Sequence, residues 1–250
     1  LMTNTASSAF AQTIEATEYS GPDTIEIDLL RPSVGGSRIL VQAGLPDGSL
    51  GLFMIDTGAD ISVLTQVVSD QLGLQVDKNW GIVEGLSGNT SMHRAVLPSI
   101  ELGGATVADV EVAVGLAGVR DQVAGMPFAG ILGNNVWSRF TLEIDYPADT
   151  LVLHRPGSFR APKRSGLLIF DGSHILTPVK VTTQNKPPST SEIIIQVDTG
   201  ASELLLSGRT GLAFENDYTE GLEPLWGIGA SETLPPYRFL QRTRRVPIKS

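Results

Sequence analysis

Cysteine is missing from all 250 residues, which excludes disulfides and thiol nucleophiles. It leaves the compartment open, because a domain of this size needs no covalent staples. Long apolar runs are also missing, and nothing approaches the roughly 20 residues of a membrane span. Positive charge is scarce: 18 Lys and Arg face 27 Asp and Glu, for a net charge of -9. That argues against a nucleic-acid surface, since phosphate binding needs a basic face. The one basic cluster, Arg242, Arg244, Arg245 and Lys249, reads as a solvated strand face. Histidine is rare, and His93, His154 and His174 have no metal-ligand spacing, so neither a metal nor another cofactor is expected. A nucleophile elbow and a phosphate loop are absent as well.

What remains is glycine, proline and aliphatic side chains. The chain has 27 Gly and 15 Pro, 6% aromatics and 41% hydrophobic residues. A packed core is expected, in a mainly β protein rich in turns. Both ends look incomplete, because the chain starts with Leu1 and its second half is short. Ser7-Ser8-Ala9-Phe10-Ala11-Gln12 resembles the small-x-small end of a secretory signal peptide cleaved after Ala11. Residues 1–11 are therefore read as a signal-peptide remnant, and export to a periplasm or the outside is expected.

An internal repeat organises the rest. Gly51-Leu-Phe-Met-Ile-Asp56-Thr57-Gly58-Ala59 is echoed by Glu192-Ile-Ile-Ile-Gln-Val-Asp198-Thr199-Gly200-Ala201. An apolar run enters and another leaves each motif. Strand-like segments precede them at Arg38 to Ala43 and His174 to Val179. Trp80-Gly81-Ile82 recurs as Trp226-Gly227-Ile228, 24 residues after Asp56 and 28 after Asp198. The pattern predicts a helix over Val67 to Leu72 and another over Asn134 to Ser138. It predicts strands over Ala95 to Leu102, Thr106 to Val114, Phe140 to Tyr146 and Thr150 to His154. The expected organisation is an N-terminal segment 12–35, a first lobe 36–156, a linker 157–173 and a second, incomplete lobe 174–250. Thr24 to Leu30 alternates well enough to be a first strand.

Two repeated aspartates suggest a chemistry. Hydrolysing a peptide bond without a metal or a nucleophilic side chain needs an activated water and an acid for the leaving amine. Two carboxylates sharing one proton supply both. At about 3 Å in an effective dielectric near 20 they repel by on the order of 5 kcal/mol, roughly four pKa units, so the pair holds one proton over a wide acidic range. Gly58 and Gly200 let the chain turn sharply beside the carboxylates. The hydroxyls of Thr57 and Thr199 both donate and accept, and can brace two loops against each other. A single Asp-Thr-Gly would arise by chance in roughly a few per cent of such chains; two copies in matching apolar runs are far rarer.

Phe53-Met-Ile-Asp56-Thr57-Gly58-Ala59-Asp60 resembles the active-site turn of retropepsin-like aspartic peptidases. Gly130-Ile131-Leu132-Gly133-Asn134 is similar to the segment that passes behind that turn in the same family. Asp198-Thr199-Gly200-Ala201-Ser202 is closer to the pepsin-like wording. The resemblance implies a duplicated acid-protease β-barrel lobe, with the second lobe truncated. It implies an Asp56–Asp198 dyad holding a water, supported by Thr57, Gly58, Ala59, Thr199, Gly200 and Ala201. Asp60 and Ser202 would bind substrate backbone, and a hairpin carrying Gly85, Leu86, Ser87 and Gly88 would close over it. The Trp226 to Ser231 region would be its counterpart. No flap tyrosine is present, and Glu84 is unexpected there. The implied partner is a peptide or protein substrate. Two alternatives stay open: a peptidase-like peptide-binding protein that no longer cleaves, and a homodimer pairing Asp56 from two chains.

Overall fold

The computed structural model describes residues 21–31, 38–85, 88–115, 122–123, 126–163, 165–182 and 190–201. The expected signal remnant, most of the second lobe beyond Ala201, and Trp226 to Ser231 lie outside them. In chain order the elements begin with β1 (Thr24–Asp28), β2 (Leu40–Gly44), β3 (Leu50–Ile55), β4 (Ser62–Leu64) and α1 (Gln66–Gln71). They continue with β5 (Asp77–Gly85), β6 (Gly88–Leu102), β7 (Ala105–Val114), β8 (Gln122–Val123), β9 (Met126–Leu132) and α2 (Asn134–Trp137). The last are β10 (Thr141–Asp145), β11 (Thr150–His154), β12 (Ile169–Asp171), β13 (His174–Thr182) and β14 (Thr190–Gln196).

Strands β2-β3-β9-β4-β7-β6 run side by side, and β6 returns to β2 at Gly44 and Glu101, closing a six-stranded barrel. Alternation in β7 explains one wall: Ala105, Val107, Val110 and Val112 point into the core, while Asp109 is exposed. Full burial of Val41, Phe53, Ile55, Leu64, Leu97, Ile100 and Leu132 fills the interior. A three-stranded sheet, β1-β11-β10, adds Ile25, Leu151 and Leu153 to the same core. The β1 strand falls in the expected N-terminal segment 12–35, yet pairs along its whole length with β11. Its alternating apolar residues have a barrel floor to bury against.

Local chemistry sets the helix ends. The first helix starts one residue earlier than its apolar pattern suggested. Thr65 caps it by accepting from the Val68 N–H at 3.3 Å, which brings Gln66 into the first turn. It stops before Gly73, whose φ of 62° suits glycine. The Ala95 to Leu102 strand is longer than expected, because β6 runs back to Gly88 and pairs there with β5 as a hairpin.

A separate antiparallel sheet, β12-β13-β14, precedes Asp198. Its first strand lies within the stretch expected to be linker, 157–173: Ile169 to Asp171 pair with His174 to Leu176. The turn residues Gly172 and Ser173 make the hairpin possible, with Gly172 at φ 61°.

One contact decides whether the barrel can close behind the first aspartate. Strand β9 threads between β3, to which it is parallel, and β4, to which it is antiparallel. At Gly130 the backbones meet so closely that a Cβ would lie 1.9 Å from the Val63 carbonyl oxygen. Backbone cannot yield as a side chain does, so Gly130→Ala should destabilise the protein by about 3 kcal/mol. Urea unfolding measures this as a lowered midpoint; an unchanged midpoint would contradict the packing described.

Candidate active site

Both aspartates sit just past the end of a strand. The Asp56 N–H donates to Leu132 O at 3.1 Å, so β9 holds the first loop from behind. Val197, next to Asp198, donates to Ile175 O at 2.7 Å, and β13 does the same for the second loop. Each carboxylate then caps its own turn. Gly58 N donates to Asp56 Oδ1 at 2.9 Å, while Gly200 N and Ala201 N donate to Asp198 Oδ1 at 2.8 and 3.1 Å.

The threonines cross from one loop to the other. Thr57 Oγ1 donates to Val197 O at 2.8 Å and accepts from Thr199 N at 3.1 Å. Thr199 Oγ1 donates to Ile55 O at 2.8 Å and accepts from Thr57 N at 3.1 Å. Each hydroxyl thus uses its proton and a lone pair at once, which serine or threonine alone can do at this size. With Thr57 only 3% exposed, breaking one member would leave buried groups unpaired.

This crossing brings the two aspartates together. A Cβ on Gly58 would lie 2.4 Å from Asp198 Cγ, and one on Gly200 would lie 2.4 Å from Asp56 Cγ. Each glycine is therefore required by the opposite loop's carboxylate. Burial pushes the Asp56 carboxyl up, the Asp198 charge pushes it further, and the Gly58 N–H pulls it back; the result is about 6. A hydrogen bond with the Asp198 carboxyl adds to the rise.

The remaining predicted residues divide. Asp60 is exposed, but its Oδ1 accepts from Ser173 Oγ and lies 3.9 Å from His174 Nδ1. It thus faces the β12–β13 turn. Gly85 pairs with Gly88 at the end of the β5–β6 hairpin. Leu86, Ser87 and Ser202 lie outside the described residues. Among the described residues no three His, Asp or Glu side chains converge as a metal site would require.

The contacts of several supporting residues were not predicted, those of Asn134 among them although its segment was. Asn134 Nδ2 donates to Thr57 O and to Ser173 O, each at 2.8 Å, and Asn134 N donates to Ala59 O at 2.8 Å. Asn135 Oδ1 accepts from Ser62 N and Oγ at 2.8 and 2.7 Å, and Ser62 Oγ accepts from Gly133 N at 3.0 Å. Arg38 Nε donates to Gly200 O at 3.3 Å, and Gln196 Nε2 to Gly58 O at 3.4 Å. The available signal was two consecutive asparagines directly after Ile131-Leu132-Gly133, polar residues where an apolar helix face would ordinarily continue.

The family model described as aspartyl protease matches residues 41–136, from β2 through α2. That stretch is similar to the aspartyl protease family. The match contains Asp56 and the barrel strands except the first residue of β2, and ends before the second sheet and Asp198. The closed barrel is consistent with a retropepsin-like fold. Among solved structures, a retropepsin-like aspartic protease from Rickettsia conorii is similar, at 23% identity over 55% of this chain and 96% of that chain, with a TM-score of 0.39. No curated protein matches the chain.

The elevated Asp56 carboxyl has a consequence for stability. A carboxyl held above its unfolded value contributes stability at low pH that is lost as pH rises through the folded value. The window here runs from about 4 to about 6. Asp56→Asn should match the parent near the bottom of that window and exceed it above the top, by on the order of 3 kcal/mol. Thermal unfolding across the window tests this; a difference independent of pH would contradict it.

Proposed function

We propose that the chain is an aspartic endopeptidase whose dyad is Asp56 and Asp198 of one chain. The observation that carries this reading is reciprocal: each carboxylate packs on the glycine of the opposite loop, with room for no Cβ. One proton shared between two close carboxyls is the established behaviour of aspartic-protease dyads, and the Asp56 carboxyl, raised to about 6, fits it. The two proton-binding steps belong to the pair.

In this reading the ionised carboxylate takes a proton from a water held between the two groups. That water's oxygen bonds to the scissile carbonyl carbon while the protonated carboxyl gives its proton to the carbonyl oxygen. The tetrahedral adduct then loses its C–N bond: one of its hydroxyls returns a proton to the second carboxylate as the carbonyl re-forms, and the proton taken from water goes to the departing amine. Loop N–H groups from Gly58, Gly200 and Ala201 hold both carboxylates in place throughout. The substrate would be an extended peptide lying as an added strand. Asp60 and the β5–β6 hairpin are its proposed neighbours.

The intra-chain packing of the two motifs favours this over a homodimer pairing two copies of Asp56. It also favours cleavage over peptide binding alone, because a binding groove has no need for two mutually repelling carboxylates.

Cleavage of a denatured protein at mildly acid pH should be inhibited by pepstatin. Asp56→Asn and Asp198→Asn should each reduce kcat by at least about a hundredfold. In the parent, kcat/KM should fall as pH rises through about 6, where the second proton leaves. Activity retained by either variant would overturn the dyad.

A further inference from the structure

We propose that Asn134 is a positioning residue of the dyad, its one buried amide setting the first catalytic loop against the Ser173 turn of the second sheet. The inference rests on the dyad reading above.

Asn134 is 6% exposed and opens α2, directly behind the first loop. A carboxamide has two N–H bonds, and these go to two different bodies: Thr57 O of the loop and Ser173 O of the β12–β13 turn, 2.8 Å each. Its backbone N–H holds the same loop at Ala59 O, and Asn135 N holds Asp60 O at 3.2 Å. The amide is therefore fixed on the first-lobe side and reaches across to the second.

On that second side the connection runs straight to the other aspartate. Ser173 leads into β13, and Ile175 of β13 accepts from the N–H of Val197, the residue before Asp198. The path Thr57–Asn134–Ser173–β13–Val197 thus joins the two aspartate loops without passing through the Thr57–Thr199 exchange. A single joint lets two loops pivot about it, whereas two joints at different points fix their relative orientation. Arg38, which leads into β2, makes the corresponding reach onto Gly200 O.

The helix keeps its backbone hydrogen bonds, and the apolar interior does not include the Asn134 side chain. Loss of the amide should therefore move the loops more than it unfolds the lobe. Burial and Asp198 are the two largest causes of the Asp56 elevation, so separating the loops weakens both.

The test replaces Asn134 by Leu, similar in volume and unable to donate, and by Ser, which is smaller and keeps one hydroxyl donor. Both substitutions are neutral. The charged groups around the joint, Asp60, His174 and Arg38, stay in place, so any change in Asp56 reflects its distance from Asp198 and from water. The readouts are the Asp56 carboxyl titration by 13C NMR, the thermal midpoint, and kcat and KM separately. We expect the Asp56 midpoint to fall by about one pH unit in Asn134→Leu, with a smaller fall in Asn134→Ser. Activity should lose about a hundredfold in kcat with KM nearly unchanged. If Asn134→Leu does not fold, Asn134→Ser carries the test.

An unchanged Asp56 midpoint in the folded variant would overturn the proposal, whether or not the thermal midpoint drops, because a structural role alone leaves the dyad in place. A parent that does not cleave would sink the functional reading, while the titration still decides the positioning role.

Discussion

Four hydrogen bonds between Thr57 and Thr199 and the strands behind them hold the two halves of the site together. Each hydroxyl gives its proton to a carbonyl of the opposite strand and takes one from the opposite loop's N–H. All four are part-buried, and a half-made set would leave polar groups without their partners. The arrangement therefore favours being complete or absent. When complete, it presses each aspartate onto the other loop's glycine, and the electrostatics follow. Two carboxyls brought together out of water cannot both ionise cheaply, and Asp56 rises accordingly.

The rest of the first lobe resists that repulsion. The barrel supplies rigid strands on both sides of Asp56: β2 pairs with β3, and β9 runs parallel to β3 on the other side. Close backbone packing at Gly130 and the Ser62–Asn135–Gly133 hydrogen bonds fasten β9 and α2 behind the loop. Such support is what a site under electrostatic strain requires, since a loosely held loop would relax by moving the charges apart. Asn134 extends the same support across to the second sheet.

Much of this was legible in the residues. The duplicated Asp-Thr-Gly-Ala marked both loops, because few other sequences place an acid, a bifunctional hydroxyl and a Cβ-free residue in that order. Strand alternation in β7 and in β10 and β11 was equally readable, since each has one face on the core. Three features were not. The pairing of β1 with β11 joins Thr24 to His154, and periodicity cannot name a partner that distant. Strand β12 was hidden by its lack of alternation, all three of its residues being exposed. The contacts of Asp60 were not readable either, because only three-dimensional structure brings Ser173 and His174 beside it. Local patterns reveal which face of an element is buried, whereas polar contacts between distant segments leave no periodic trace.

If Asp56 and Asp198 of one chain form the proposed dyad, they bind protons as a pair. Following both carboxyl carbons by 13C NMR in a verified monomeric sample tests it most directly. Coupled titration predicts that both resonances move in both proton-binding steps, with the upper step near 6. Two independent single-step curves, each in the ordinary carboxylate range, would contradict it.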